Sequence, residues 1–140
     1  MEIEDRRAEQ ILEVIKALHE VNRLVPIIVE GKRDRRALRS LGITGEVILL
    51  HGGKTIYEFC EDILKQHERF ILLLDRDERG EALQKILSSY LKGHYEEFSL
   101  FRNILKSLCQ SDIKEIEDLP ALLRRLTGKP VESPVCPPLE

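Results

Sequence analysis

Three carboxylic acids are the residues of this sequence best suited to chemistry, and each follows a stretch of apolar residues. Glu30 comes directly after the run 25–29, and Asp75 and Asp77 come after the run 70–74. If both runs are parallel strands, their carboxyl ends meet at one edge of a sheet, where open α/β folds bind ligands. Carboxylates gathered there repel one another unless a cation neutralises them, and Mg²⁺ prefers such oxygen ligands.

The same positions also have a purely structural interpretation. Turns that lead from a strand into a helix are rich in Asp and Glu, because a carboxylate there meets free N–H groups and the positive end of the helix dipole. From position alone, metal binding and helix capping are about equally well supported.

Alternating helix and strand signals surround these acids. Apolar residues at steps of three and four predict an N-terminal amphipathic helix within residues 1–23. Short apolar runs then predict strands at 25–29, 47–50 and 70–74, with a weaker fourth strand at 94–98. Helical spacing between the strands predicts helices at 32–40, 56–64 and 82–91.

This order predicts an α/β fold in which helices flank a parallel sheet of about four strands. The uninterrupted apolar run at 70–74 is typical of a strand covered on both faces. We expect the α/β domain to span residues 24–100, helices to follow within 101–127, and the proline-rich residues 128–140 to form a flexible tail.

Composition narrows the class of protein. The chain of 140 residues has a single-domain length, and its net charge of −3 excludes a protein coated in basic charge. Three cysteines without close spacing indicate neither a disulfide framework nor a zinc site. The charged N-terminus and the absence of a long apolar run predict a cytoplasmic protein without a membrane partner.

A local cluster of basic residues provides the sequence signal for a nucleic-acid partner. Residues 30–40 carry five positive and two negative side chains, beginning at the same strand end as Glu30. We expect this cluster to bind phosphate oxygens rather than to read bases, because aromatic residues make up only 5% of the chain and no stacking platform is evident. The candidate phosphate-binding residues are Lys32, Arg33, Arg35, Arg36, Lys54 and Arg76.

Two motifs around the acids resemble those of the Toprim domain. The first is Val29-Glu30-Gly31-x-x-Asp34, and the second is Leu73-Leu74-Asp75-x-Asp77-x-x-Gly80. The family is shared by type IA topoisomerases, bacterial primases, OLD-type nucleases, RecR-type recombination mediators and a ribosomal-RNA maturase. The segment IIVEGKRD and the HGGK turn most resemble the corresponding segments of the small stand-alone Toprim proteins of archaea.

The resemblance implies a Rossmann-like sheet and a role for each acid. Glu30 would be a general acid/base or a ligand of Mg²⁺, Asp75 would bridge one or two Mg²⁺ ions, and Asp77 would hold the second. Mn²⁺ is expected to substitute for Mg²⁺. Gly31, Asp34 and Gly80 would have supporting roles.

Other motif interpretations fail on spacing or composition. A P-loop needs glycine at position 48, where the chain has Ile48, and a calcium loop needs oxygen ligands where it has Arg79 and Ile86. The strand before Asp75 also resembles that of phosphatases with an aspartate nucleophile, but there it is the first strand. His51 is a minor candidate for a proton carrier or a phosphate ligand, although a lone histidine is more often structural.

Two functions are therefore expected. The first is a Mg²⁺-dependent protein that acts on nucleic-acid phosphodiesters, as a nuclease or in RNA or DNA processing. The second is a non-catalytic module that binds nucleic acid or a nucleotide within a larger complex, which leaves a protein partner or a homo-oligomer open.

Overall fold

The protein alternates helices and strands, as a computed structural model shows for residues 2–50, 53–109 and 116–128. The three strands are β1 (Ile27–Val29), β2 (Val47–Leu49) and β3 (Ile71–Leu72). Short 3-10 helices at Glu96–Phe98 and Ile116–Asp118 precede the last two α-helices. The α-helices are α1 (Glu2–Asn22), α2 (Lys32–Ser40), α3 (Ile56–Leu64), α4 (Glu78–Tyr90), α5 (Ser99–Cys109) and α6 (Leu119–Thr127).

The strands form a parallel sheet in the order β2-β1-β3, which confirms the predicted α/β class. Ile27 of β1 lies opposite Val47 on one side and Ile71 on the other. Because β2 and β3 lie on opposite sides of β1, right-handed crossovers place α2 and α3 on opposite faces of the sheet. The switch point of the strand order therefore lies between β1 and β3, and a crevice is expected beyond the carboxyl ends of these two strands.

The sheet is buried on both faces, as the uninterrupted apolar strands predicted. Ile27 and Val29 point into a core formed with α1, α2, α5 and α6, whereas Ile28 points into a second core formed with α3 and α4. Cys109 is buried in the first core and Cys60 in the second, where burial raises the pKa of the Cys60 thiol to about 11. These two cysteines are core residues, as predicted.

The predicted fourth strand at 94–98 is wrong. Gly93 adopts a positive φ of 89°, and its N–H donates to the carboxylate of Glu96 at 2.8 Å. This local turn leads into the 3-10 helix at Glu96–Phe98 rather than into a strand. His94 supplies a single backbone contact to the edge of β3, where its carbonyl oxygen accepts from the Phe70 N–H at 2.8 Å.

Some of the predicted features lie outside the described residues. These are His51, Cys136 and the proline-rich segment, of which the structure describes Gly128 at the end of α6. No helix in the described ranges combines the length and the hydrophobicity needed to cross a membrane.

Candidate functional site

The carboxyl ends of β1 and β3 bring Glu30 and Asp75 into contact. The Asp75 N–H donates to Glu30 Oε2 at 3.0 Å, although 45 residues separate them in the chain. The Glu30 side chain is only 10% exposed, and Asp75 is buried. The structure therefore brings the Glu30 carboxylate to the backbone of Asp75, as expected for residues that follow neighbouring parallel strands.

Asp77 lies at the start of α4 and caps that helix. Its Oδ1 accepts from the Gly80 N–H at 2.7 Å, which satisfies one of the free N–H groups of the first turn. For Asp77, the structure thus shows the helix capping that the sequence offered as one of two interpretations. Asp77 is two residues after Asp75 in the chain, and both follow β3 at the same edge of the sheet.

Gly80 allows α4 to approach the two acids closely. A Cβ atom built on Gly80 would lie 2.0 Å from the Asp75 carbonyl oxygen and 3.0 Å from Glu30 Oε2. No larger residue fits there without a backbone shift. Gly31 is different, because a Cβ at that position would have no atom within 4 Å and its φ of −152° is accessible to any residue.

Arg102 of α5 hydrogen-bonds to the loop after β3. The sequence analysis did not identify this residue as part of the site. The buried guanidinium donates from Nε to the Leu74 carbonyl oxygen at 2.9 Å and from Nη2 to the Asp75 carbonyl oxygen at 2.8 Å. Its Nη2 also lies 3.3 Å from Glu81 Oε2. Arg102 lies three residues before Leu105 and seven before Cys109, so it shares a helix face with these buried residues. This spacing was the sequence signal that could have predicted a buried arginine.

The 3-10 helix at Ile116–Asp118 reaches the same acids from the other side. The Ile116 N–H donates to Asp75 Oδ1 at 3.0 Å. Asp34 accepts from the Gly31 N–H at 3.2 Å and from the backbone N–H of Glu117. Burial raises the pKa of Asp34, and the nearby charges of Glu30 and Glu117 raise it further.

The carboxylate oxygens of Glu30, Asp75 and Asp77 are ligands that suit a hard divalent cation. In the described part of the chain, no three His, Cys, Asp or Glu side chains form a group that could hold a metal ion as they stand. Mg²⁺ does not require such a group, because one or two carboxylates commonly hold it while water and substrate phosphates complete its octahedron. Glu30, Asp75 and Asp77 supply only carboxylate oxygens, the ligand type that suits Mg²⁺ and Mn²⁺.

A cleft opens beside Glu30 between the N-terminal turns of α3 and α4. Its volume is about 210 Å³. Lys54 and Arg79 contribute positive charge to its wall, and Arg79 Nε lies 3.8 Å from Glu30 Oε1. Lys54 also forms an ion pair with Asp62. The apolar part of the wall is formed by Leu50, Ile56, Phe59 and Leu83.

The predicted basic residues are divided among several surfaces rather than joined in one patch. Arg33 and Arg36 line a hollow of about 320 Å³ that also contains Glu117 and Asp118. Arg33 lies 4.0 Å from Glu117, so part of its charge is already balanced.

The remaining members of the basic set point in other directions. Arg35 and Lys54 line a groove of about 360 Å³ beside β2, and Lys32 is exposed at the start of α2. Arg76 donates to the Lys106 carbonyl oxygen at 3.2 Å and so links the loop to α5. Of the predicted phosphate-binding set, Lys54 shares the cleft with Glu30.

Comparison with known families identifies the fold. A model of the Toprim domain matches residues 25–115 of this chain. The chain belongs to the Toprim family. Membership indicates a metal-dependent function related to nucleic acids, and Toprim domains generally bind Mg²⁺.

The chain is similar over most of its length to archaeal proteins named UPF0292. The protein from Methanosarcina barkeri is 35% identical over 135 residues, which cover 92% of this chain and 91% of that protein. The protein from Thermoplasma volcanium is 34% identical over 113 residues, which cover 79% of this chain and 92% of that protein. These relatives agree with the resemblance to small archaeal Toprim proteins.

A solved structure supports the same relationship. A protein from Aquifex aeolicus superimposes with a TM-score of 0.64 at 34% sequence identity. The match covers 76% of this chain and 94% of the Aquifex protein.

Proposed function

We propose that this Toprim protein holds Mg²⁺ at the edge formed by Glu30, Asp75 and Asp77, and acts there on nucleic-acid phosphodiesters. The reaction class is phosphoryl transfer, as in a nuclease or an RNA- or DNA-processing enzyme. The observation that carries the proposal is the 3.0 Å contact between Glu30 Oε2 and the Asp75 N–H, which joins acids from two strand ends.

The two oxygens of Glu30 support different roles. Oε2 is fixed by the Asp75 N–H, whereas Oε1 faces Arg79 at the cleft. In hydrolysis, Oε1 would take a proton from the attacking water as the water oxygen bonds to phosphorus. The bond from phosphorus to the leaving oxygen then breaks, that oxygen takes up a proton from solvent, and Glu30 releases its proton to solvent.

The carboxylates and the cations divide the remaining work. With Glu30 as the base, Asp75 and Asp77 would hold Mg²⁺, which when bound neutralises charge on phosphate oxygens and lowers the pKa of a bound water. Lys54 and Arg79 would orient the phosphate from the cleft wall.

The size of the cleft favours one phosphate group of a longer strand. At about 210 Å³, it is smaller than the roughly 300–1,000 Å³ of pockets that enclose a whole drug-sized ligand. A polymer can place a single phosphodiester there while its flanking nucleotides extend over the surface. This favours nucleic acid over a free small-molecule substrate.

A non-catalytic binding module is the second candidate. Asp75 Oδ1 accepts from the Ile116 N–H, and Asp77 Oδ1 accepts from the Gly80 N–H. Backbone donors thus engage one oxygen of each aspartate, so fewer oxygens are available for a catalytic metal, which is compatible with a site that only binds nucleic acid.

Cleavage assays with labelled RNA and DNA separate the two candidates. The purified protein is incubated with single-stranded and duplex substrates in Mg²⁺, Mn²⁺ or EDTA, and compared with Glu30→Gln and Glu20→Gln. In Glu30→Gln, the side-chain amide oxygen can still accept from the Asp75 N–H, so the fold is retained. Glu20 forms an exposed ion pair with Arg23 and serves as the matched control.

We expect metal-dependent cleavage by the wild type and by Glu20→Gln, and binding without cleavage by Glu30→Gln. Binding without cleavage by the wild type in either metal would favour the binding module. A protein that neither binds nor cleaves any of the substrates would contradict both candidates.

A further inference from the structure

We infer that Tyr57 of α3 and Tyr90 of α4 form a stacking platform for the bases of single-stranded nucleic acid, beside the cleft that contains Glu30. The inference rests on the proposed function, because it assigns the class of strand that the site would accept. No pattern in the sequence indicated this platform, since the two tyrosines lie 33 positions apart.

The two rings pair at the protein surface instead of joining a core. Their centroids are 5.6 Å apart with an interplanar angle of 61°. Tyr57 is 52% exposed and Tyr90 is 44% exposed. Ile86, one turn before Tyr90, is 41% exposed, so three of the five large hydrophobic residues exposed in the described chain lie on this α3–α4 face.

Tyr57 is held in position before any ligand arrives. Its hydroxyl donates to Glu61 Oε2 at 2.8 Å, one turn further along α3. A ring fixed by a hydrogen bond and by an edge-to-face neighbour loses little freedom when a base stacks on it. The Glu61 carboxylate repels phosphate at the same place, so attraction there must come from stacking and not from charge.

The two helices that line the cleft also carry the platform. Ile56, which lines the cleft, is the neighbour of Tyr57 in α3. Leu83, which also lines the cleft, precedes Tyr90 by seven residues in α4, roughly 10 Å along the helix axis. A strand whose phosphate lies between Lys54 and Arg79 can therefore lay a nearby base on the tyrosines.

The extent of the patch favours a base over a protein. Two half-exposed tyrosines and one isoleucine offer on the order of 300 Å² of apolar surface. A stable protein interface needs about 800 Å² from each partner. A single nucleobase has a flat face that such a patch can cover, and in a single strand a base can leave its stack and present that face.

The test compares binding of fluorescently labelled oligonucleotides by anisotropy, in EDTA to prevent cleavage. The proteins are the wild type, the double variant Tyr57→Leu/Tyr90→Leu, the ring-preserving variant Tyr57→Phe/Tyr90→Phe, and Lys54→Gln/Arg79→Gln. Leu24→Gln is the matched control, because Leu24 is 85% exposed and lies outside the platform and the cleft. Each protein is titrated with single-stranded and duplex oligonucleotides at several salt concentrations.

We expect the leucine double variant to lose about 5- to 150-fold in affinity for single strands, which corresponds to one stacked base. Its salt dependence should match that of the wild type, because no phosphate contact is removed. The phenylalanine variant should keep most of the affinity, because both rings remain and only the hydrogen bond to Glu61 is lost, and Lys54→Gln/Arg79→Gln should flatten the salt dependence.

Specific results would overturn the platform. If the leucine variant binds single strands as tightly as the wild type while Lys54→Gln/Arg79→Gln does not, the platform is wrong and the proposed function stands. Equal affinity of the wild type for duplex and single strand would also contradict it, as would leucine substitutions that change only the oligomeric state. Absence of oligonucleotide binding by the wild type in EDTA and also by Glu30→Gln in Mg²⁺ would contradict the platform and the proposed function together, because the acids are neutralised in the second condition.

Discussion

Replacing Arg102 by methionine should destabilise the protein strongly, because this guanidinium supports the loop that carries Asp75. The substitution keeps an apolar stem but removes both hydrogen bonds to the carbonyl oxygens of Leu74 and Asp75, and the ion pair with Glu81. The two carbonyl groups then lose their charged donor in a buried environment. We expect a loss of about 3–5 kcal/mol in the free energy of unfolding.

Thermal and urea denaturation measure this loss directly. For a chain of this size, the expected change lowers Tm by roughly 10–15 °C. Arg69→Met is the matched control, since Arg69 is exposed, pairs with Glu97 and lies over the Phe98 ring. That control should cost at most about 1 kcal/mol.

The same position also tests whether the loop positions the acids. Arg102→Lys retains a charge but cannot donate in two fixed directions, so we expect an intermediate stability and a weaker shift of Tm by Mg²⁺. An Arg102→Met protein within about 1 kcal/mol of the wild type would refute the reasoning, because the contacts would then contribute nothing measurable.

Four further substitutions test the surroundings of the acids. Asp75→Asn and Asp77→Asn should each abolish the rise in Tm given by Mg²⁺ or Mn²⁺ but keep the metal-free Tm, because the amide oxygen still accepts the same backbone N–H; equal shifts in all proteins would contradict the metal site. Gly80→Ala should cost about 1–3 kcal/mol in urea denaturation, since its Cβ would meet the Asp75 carbonyl oxygen, whereas the control Gly31→Ala should be neutral. Because the pKa of Asp34 is raised in the folded protein, its protonated form is favoured, and its contribution to stability is lost as pH rises through that pKa. In EDTA, Asp34→Asn should therefore match or exceed the stability of the wild type at neutral pH and lose this advantage in acid; a difference independent of pH would contradict the assignment.

The order of elements and the acidic edge were predictable because both depend on local patterns. Helical spacing and apolar runs located every helix and strand of the sheet, and two strand ends placed Glu30 and Asp75 together. The strand boundaries were less predictable. The apolar run 70–74 is longer than β3, since a strand is defined by the residues that pair with β1.

The missing predictions concern contacts between residues distant in the chain. Periodicity shows that Arg102 shares a helix face with buried residues. It does not show that this side chain donates to the carbonyl oxygens after β3. Likewise, no local pattern joins Tyr57 to Tyr90, because their contact depends on how α3 packs against α4. The erroneous strand at 94–98 arose because a side-chain hydrogen bond in the turn at Gly93 overrides weak strand propensity.

The backbone of Asp75 joins two layers of the molecule, since its N–H binds Glu30 after the central strand and its carbonyl oxygen binds Arg102 of α5. Local unfolding of α5 therefore releases the same peptide segment that presents the acid. If α5 opened before the sheet under mild denaturant, the segment that carries Asp75 would lose its support while the strands stayed paired. Hydrogen exchange at the Asp75 amide would report that opening.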